Sequence, residues 1–221
     1  MPPGNAPFEL AVLVSGRGSN LRAIAAAIDE GRCHARIAAV ISDRASAEAL
    51  AFATERGIAT RVCRPKDFAA RDAWDAALAA EVAVFEPGLV VLAGFMRIVG
   101  PAMLARFPYR MVNVHPALLP AFPGADGVEQ ALAMGARLSG CTVHLVDAGV
   151  DTGPILAQAA VPVLPGDDVA SLHGRIQVQE HRLLPAVIDA IARGWIEPAE
   201  RPVFAADCPF GEGSLACPAL V

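Results

Sequence analysis

Apolar residues fall into short β-branched runs that alternate with Ala-rich stretches of helical period. The first run, over residues 10–14, leads through a Gly turn into a helix expected from about residue 21 to a stop at Gly31. The same rhythm predicts a strand over 38–42, a helix over 47–56 ended by Gly57, a strand over 58–63 and a long amphipathic helix over 71–85. Residues 89–93 are a nearly pure apolar run, as expected of a central parallel strand covered on both faces. A short helix near 101–107 then leads to another strand at 111–115.

After residue 115 the rhythm breaks, because the prolines of 116–124 can continue neither a helix nor a strand. Beyond this loop the pattern predicts a helix over 128–134, strands over 141–146 and 155–163 joined by a Gly/Asp-rich turn, and a closing helix over 169–192. The turn points to antiparallel pairing of those two strands. The expected fold is α/β: a Rossmann-like, mostly parallel sheet with helices on both faces and an antiparallel edge in the C-terminal part. A single domain is expected over 10–197, with an N-terminal half to about 110 and a second half from 111. A flexible leader over 1–9 and an extension over 198–221 flank it.

Composition narrows the classes of function. The chain has 221 residues, enough for one α/β domain with its own core, and 54% of them are hydrophobic with only 5% aromatic. A net charge of −5 without a basic run argues against nucleic-acid or anionic-membrane binding. The five cysteines are scattered, with no C-x-x-C pair, and read as reduced thiols. Neither a signal-peptide pattern nor eighteen uncharged apolar residues in a row is found, so a cytoplasmic protein is expected, monomer or homodimer.

Three segments carry candidate chemistry. Ser15-Gly16-Arg17-Gly18-Ser19-Asn20 lies between a strand and a helix, where small residues let backbone N–H groups approach a phosphate; in the plainer reading Ser19 is simply an N-cap. Leu21 stands where the dinucleotide fingerprint needs its third glycine. Asn113 and His115 occupy positions i and i+2 of one strand, so both point to one face at its carboxyl end, where open α/β sheets bind ligands. Asp151 sits in the turn Asp151-Thr152-Gly153-Pro154, and gains a chemical role if it faces His115. Of the other histidines, His34 is expected in solvent, His173 and His181 fall on the closing helix, and His144 is directed toward the same site. No His and acid spacing suits a metal, and no metal is expected.

Taken together, the blocks from Val14 to Leu21, Leu92 to Ile98, Asn113 to Pro120, Gly140 to His144 and Val150 to Pro154 resemble the folate-dependent formyltransferases. The first block resembles the branch acting on glycinamide ribonucleotide, and the likeness runs from about Leu10 to Trp195. It implies transfer of a formyl group from 10-formyltetrahydrofolate to the amine of 5′-phosphoribosylglycinamide, in purine biosynthesis, by direct attack through a tetrahedral intermediate. It also implies that Asn113, His115 and Asp151 are catalytic, with His144 in support. Gly18, Ser19, Asn20 and Glu180 would hold the ribonucleotide. Met96, Arg97, Ile98, Val99 and Asn113 would hold the folate, with Arg71 near its glutamate tail. Asn113 and His115 would stabilise the oxyanion, worth roughly 3–4 kcal/mol for one donor in an oxyanion hole. The likeness departs after Gly124, where Ala125-Asp126-Gly127 lacks the histidine that many relatives carry.

Two relatives within that class fit less well: the tRNA-directed formyltransferases need a further basic C-terminal domain, and the formyltetrahydrofolate deformylases usually carry an N-terminal regulatory one. From other classes, a nucleotide-dependent dehydrogenase would use the Gly-rich turn with Asp43 as ribose binder, and a non-catalytic module would bind folate or phosphate without turnover.

Overall fold

A computed structural model describes residues 7–208. Five parallel strands form most of one seven-stranded sheet: β1 (Phe8–Val14), β2 (Ala35–Ser42), β3 (Ala59–Val62), β4 (Leu89–Leu92) and β5 (Met111–His115). Their spatial order is β3-β2-β1-β4-β5, and β6 (Leu138–Leu145) and β7 (Ile155–Pro162) extend it antiparallel. The order reverses between β1 and β4, so their connections leave on opposite faces and open a crevice at the carboxyl ends. The expected α/β fold with an antiparallel C-terminal edge is the fold found.

The layering follows from side-chain alternation along the strands. In β1, Leu10, Val12 and Val14 enter one core and Ala11 and Leu13 the other. The first core is covered by α1 (Ser19–Asp29), α2 (Glu48–Glu55), α5 (Gly127–Ala133) and α6 (Val169–Ala192). The second lies under α3 (Arg71–Ala83) and α4 (Pro101–Arg106). Trp74 on α3 is almost fully buried in the second core, and its Nε1 donates to the Cys63 carbonyl at 2.9 Å. Burial also pushes the thiols of Cys33 and Cys141 up to about 12; Cys217 lies outside the described residues.

The boundaries differ from the expected ones where tertiary pairing extends a strand beyond its apolar run. β1 begins at Phe8, within the expected leader, because Phe8 and Glu9 pair with Ala35 and Arg36, and this pairing likewise starts β2 three residues early. The expected extension is tied down in its first part. Val203–Phe204 (β9) pairs with Ile196–Glu197 (β8), and the Ala205 N–H donates to the Trp195 carbonyl at 2.8 Å. The rest of the extension, from 209, lies outside the described residues, as do residues 1–6 of the leader. No helix among the described residues is long and apolar enough to cross a membrane.

Candidate active site

The carboxyl end of β5 is assembled by register. Asn113 on β5 pairs directly with His144 on β6, and His115 with Thr142, so Asn113 and His144 meet on one face. The Asn113 Nδ2 lies 3.1 Å from His144 Nε2 and donates to Asp151 Oδ1 at 3.4 Å. His115 places Nδ1 3.3 Å from Asp151 Oδ2, and His144 Nε2 is 3.5 Å from Asp151 Oδ1. The three residues expected to act together therefore converge, with His144 beside them.

The imidazole roles follow from their second nitrogens. His144 Nδ1 donates to the Leu145 carbonyl at 2.8 Å, and its Nε2 faces both the Asn113 amide and the Asp151 carboxylate. His115 Nε2 donates to the Phe122 carbonyl at 2.8 Å, and its Nδ1 faces the carboxylate. That contact is attractive only when Nδ1 carries a proton. Both nitrogens of His115 thus meet protein groups here, and none points freely into the site.

Asp151 receives the Gly124 N–H at 2.8 Å and adopts a left-handed backbone, φ 54°. Phe122 and Asp126 share that conformation at φ 56° and 62°, a cost of roughly 1 kcal/mol or more each that the surrounding packing must offset. Burial opposes the Asp151 charge, but the His144 contact, the Gly124 N–H and the charge of the two imidazoles outweigh it and hold the carboxyl below its ordinary range.

The trio forms one wall of a cavity of about 560 Å³. Gly94 to Val99 form another wall, with Met96 and Ile98 well exposed toward it, and the Asp147–Asp151 turn a third. Met96, Arg97, Ile98, Val99 and Asn113 all line it; Arg71 does not, but donates to the Ile98 carbonyl from the start of α3. Asp126 lines the same cavity in place of the missing histidine.

The Gly-rich turn lies at the end of β1 and opens α1. Gly18 is its N-cap, left-handed at φ 75°, and a Cβ there would fall 2.6 Å from the Ala49 Cβ. Ser19 is not the N-cap but the first helical residue, since the Gly18 conformation leaves its hydroxyl facing α6, where it accepts from Gln177 Nε2 at 3.0 Å. No side chain caps α1, so its leading N–H groups stay available to an anion. Asn20 donates to Glu180 at 3.1 Å, and its Oδ1 is buried without a partner. Burial pushes the Glu180 carboxyl up, against the Asn20 contact and the charge of His173 and His115. Ser15 joins the two regions: its Oγ accepts from the Met96 N–H at 2.8 Å.

A formyl transferase family model matches residues 8–188. The chain belongs to the formyl transferase family. Within it, the chain is 54% identical over 190 residues to the phosphoribosylglycinamide formyltransferase of Mycobacterium tuberculosis, covering 86% of this chain and 87% of that protein. Identity to the protein of that name from Escherichia coli is 41% over 187 residues, covering 85% and 88%. The crystal structure of glycinamide ribonucleotide transformylase 1 from Symbiobacterium toebii matches with a TM-score of 0.88 at 46% identity, over 91% of this chain and 95% of that one.

For a formyl transferase, two arrangements were not legible in the sequence. Asp43, which a dehydrogenase would need for a ribose, is fully buried at its side chain and accepts from Arg97 Nε at 2.7 Å. Asp75 on α3, 1% exposed, accepts the Gly100, Ala102 and Met103 N–H groups at 2.5, 2.7 and 3.3 Å and so anchors the chain just after Val99. The i,i+4 spacing of Arg71 and Asp75 was the available signal, and it also fits an ordinary exposed helix pair. His34 lies at the surface against Asp189, far in sequence and role from the site. Among the described residues no group of three or more His, Cys, Asp or Glu is placed to hold a metal ion.

Proposed function

We propose that the chain transfers the formyl group of 10-formyltetrahydrofolate to the amine of 5′-phosphoribosylglycinamide, in de novo purine biosynthesis. The observation that carries this reading is the convergence of Asn113, His115 and Asp151 on the wall of a cavity that the Gly94–Val99 segment also lines. The walls suit a flat, partly apolar heterocycle recognised by main-chain groups, with Met96 and Ile98 against its rings. The folate supplies the activated formyl group. The uncapped start of α1 takes the ribonucleotide phosphate, and the orphaned Oδ1 of Asn20, beside Glu180, accepts a hydrogen bond from a hydroxyl or amine of the same substrate.

The chain's own residues divide the work. Asn113, oriented by His144 and Asp151, presents its amide to the formyl oxygen as negative charge grows there. The His115 imidazolium keeps the Asp151 carboxylate charged and adds positive potential at the same point. As the amine bonds to the formyl carbon and the bond from that carbon to the folate nitrogen breaks, Asp151, a weak base when held below its ordinary range, passes the amine proton through water to the departing folate nitrogen. This requires His115 and Asp151 to act as one unit. His115→Ala and Asp151→Asn should each lower kcat by about 10²-fold or more with folate affinity nearly unchanged, and the double variant should be little worse than the worse single. Losses that multiply, or an Asp151→Asn defect confined to folate affinity, would show that the carboxylate only shapes the turn.

A further inference from the structure

The turn that opens α1 and the Gly94–Val99 wall of the cavity are tied together at one buried residue, Ser15. Strands β1 and β4 run parallel with Leu13 opposite Leu92, and the Ala93 N–H continues their ladder onto the Leu13 carbonyl at 2.9 Å. The Ser15 N–H then donates to the Gly94 carbonyl at 3.1 Å. Gly94 is left-handed at φ 73°, and there the chain turns out of the ladder. Just beyond it the Met96 N–H donates to the Ser15 hydroxyl at 2.8 Å, a side chain standing where the ladder would have offered a carbonyl. This bond sits where neighbouring side chains diverge: Phe95 is buried and stacks on Trp74 in the second core, whereas Met96 is exposed and lines the cavity. Toward α1 the chain is braced as well. The Gly16 carbonyl accepts from the Ala49 N–H at 3.1 Å, Gly18 packs against Ala49, and Ser19 and Asn20 are bonded to α6.

We propose that Ser15 is a positioning residue for the transfer: its hydroxyl sets the Gly94–Val99 wall relative to the α1 turn, and so couples the binding of the two substrates. This rests on the folate and ribonucleotide reading of those two places. Neither effect needs Ser15 to touch a substrate. A phosphate at the uncapped start of α1 holds the connection from one end, and a heterocycle against Met96 holds it from the other. Whichever substrate arrives first removes freedom that the second would otherwise have to remove, so the coupling is positive, and by linkage it is the same factor in both directions. Attack needs the amine nitrogen within about 3–3.5 Å of the formyl carbon, and a misplacement of about 1 Å costs on the order of 10²-fold in rate. Removing the hydroxyl leaves the Met96 N–H without this acceptor and lets the wall shift against the turn, so kcat falls as well as affinity.

The test is calorimetric titration of a deaza folate analogue that carries no formyl group, with and without saturating 5′-phosphoribosylglycinamide, into the wild type, Ser15→Ala and Asp75→Asn. In the wild type the ribonucleotide should tighten the analogue about 5-fold, and the analogue should tighten the ribonucleotide by the same factor. Ser15→Ala, which deletes one oxygen atom, should lower that factor to about 2-fold or less, and should lower kcat at saturation of both substrates by about 10-fold. Asp75→Asn loosens the wall at its far end without touching Ser15, so it should weaken the analogue equally in both titrations and leave the coupling at about 5-fold. Independent binding in the wild type, coupling that survives Ser15→Ala, or an unchanged kcat in that variant would overturn the proposal. Equal loss of coupling in both variants would also overturn it, because any loosening of the wall would then suffice. An analogue or a ribonucleotide that fails to bind the wild type would instead overturn the substrate reading, and the positioning role with it.

Discussion

Replacing Asp75 by Asn separates the support of the folate wall from the chemistry. The carboxylate is 1% exposed and accepts three main-chain N–H groups at the start of α4, while Arg71, one turn earlier on α3, holds the Ile98 carbonyl. One helix face thus clamps the segment from Ile98 to Met103 at both ends. Asparagine keeps one accepting oxygen and turns an NH2 group toward donors that the second oxygen had satisfied. Hydrogen bonds to a charged group contribute roughly 1.5–3 kcal/mol each, and with one oxygen retained the net loss should be about 2–3 kcal/mol. At roughly 2–4 °C per kcal/mol for a chain of this size, the melting temperature should fall by about 4–12 °C. Because the trio is untouched, the folate KM should rise several-fold, with kcat and the ribonucleotide KM nearly unchanged. Calorimetric melting and steady-state kinetics read both effects. A variant that melts within about 1 °C of the wild type with an unchanged folate KM would refute the clamp.

Three further outcomes are expected. Gly18→Ala places a Cβ 2.6 Å from the Ala49 Cβ at φ 75°, so urea unfolding should show a loss of about 2–4 kcal/mol, and the ribonucleotide KM should rise. Asp151 has a lowered folded-state pKa, so it contributes stability that is present above the ordinary carboxylate range and lost as pH falls through the folded value; acid titration of Asp151→Asn should lack that part of the loss. Glu180 has a raised folded-state pKa, so its contribution is present below the ordinary value and lost as pH rises through the folded one. Glu180→Gln should therefore melt higher than the wild type near pH 8 while its ribonucleotide KM rises, and an unchanged or lower melting point would contradict the cost assigned to that buried charge.

The strands were legible because parallel strands buried on both faces need apolar runs, and 10–14 and 89–93 are such runs. The convergence of Asn113 and His115 was legible from the period of two along β5, whereas a meeting of Asp151 with His115 was implied only by the likeness to the family, and the fold brings the two within 3.3 Å. What stayed hidden depends on contacts distant in sequence. The direction of the His115 ring is set by the Phe122 carbonyl, and hence by the path of a proline-rich loop that no local period describes. Asp75 looks like any helix-surface acid until α4 packs over it, and β9 comprises two residues in a stretch with no apolar alternation. The likeness to known formyltransferases covered Asn113, His115 and Asp151 but held nothing about Arg44, Arg64 and Lys66, whose grouping exists only after β2 and β3 pair.

The central claim is tested most directly by following the label of 10-[13C]formyltetrahydrofolate by NMR in the presence and absence of 5′-phosphoribosylglycinamide. The label should appear on the ribonucleotide amine in step with folate release, with negligible release when the ribonucleotide is omitted and none in Asp151→Asn on the same timescale. Label appearing as free formate at a rate independent of the ribonucleotide would contradict the account, because the amine would then not be the group that Asn113, His115 and Asp151 are placed to serve.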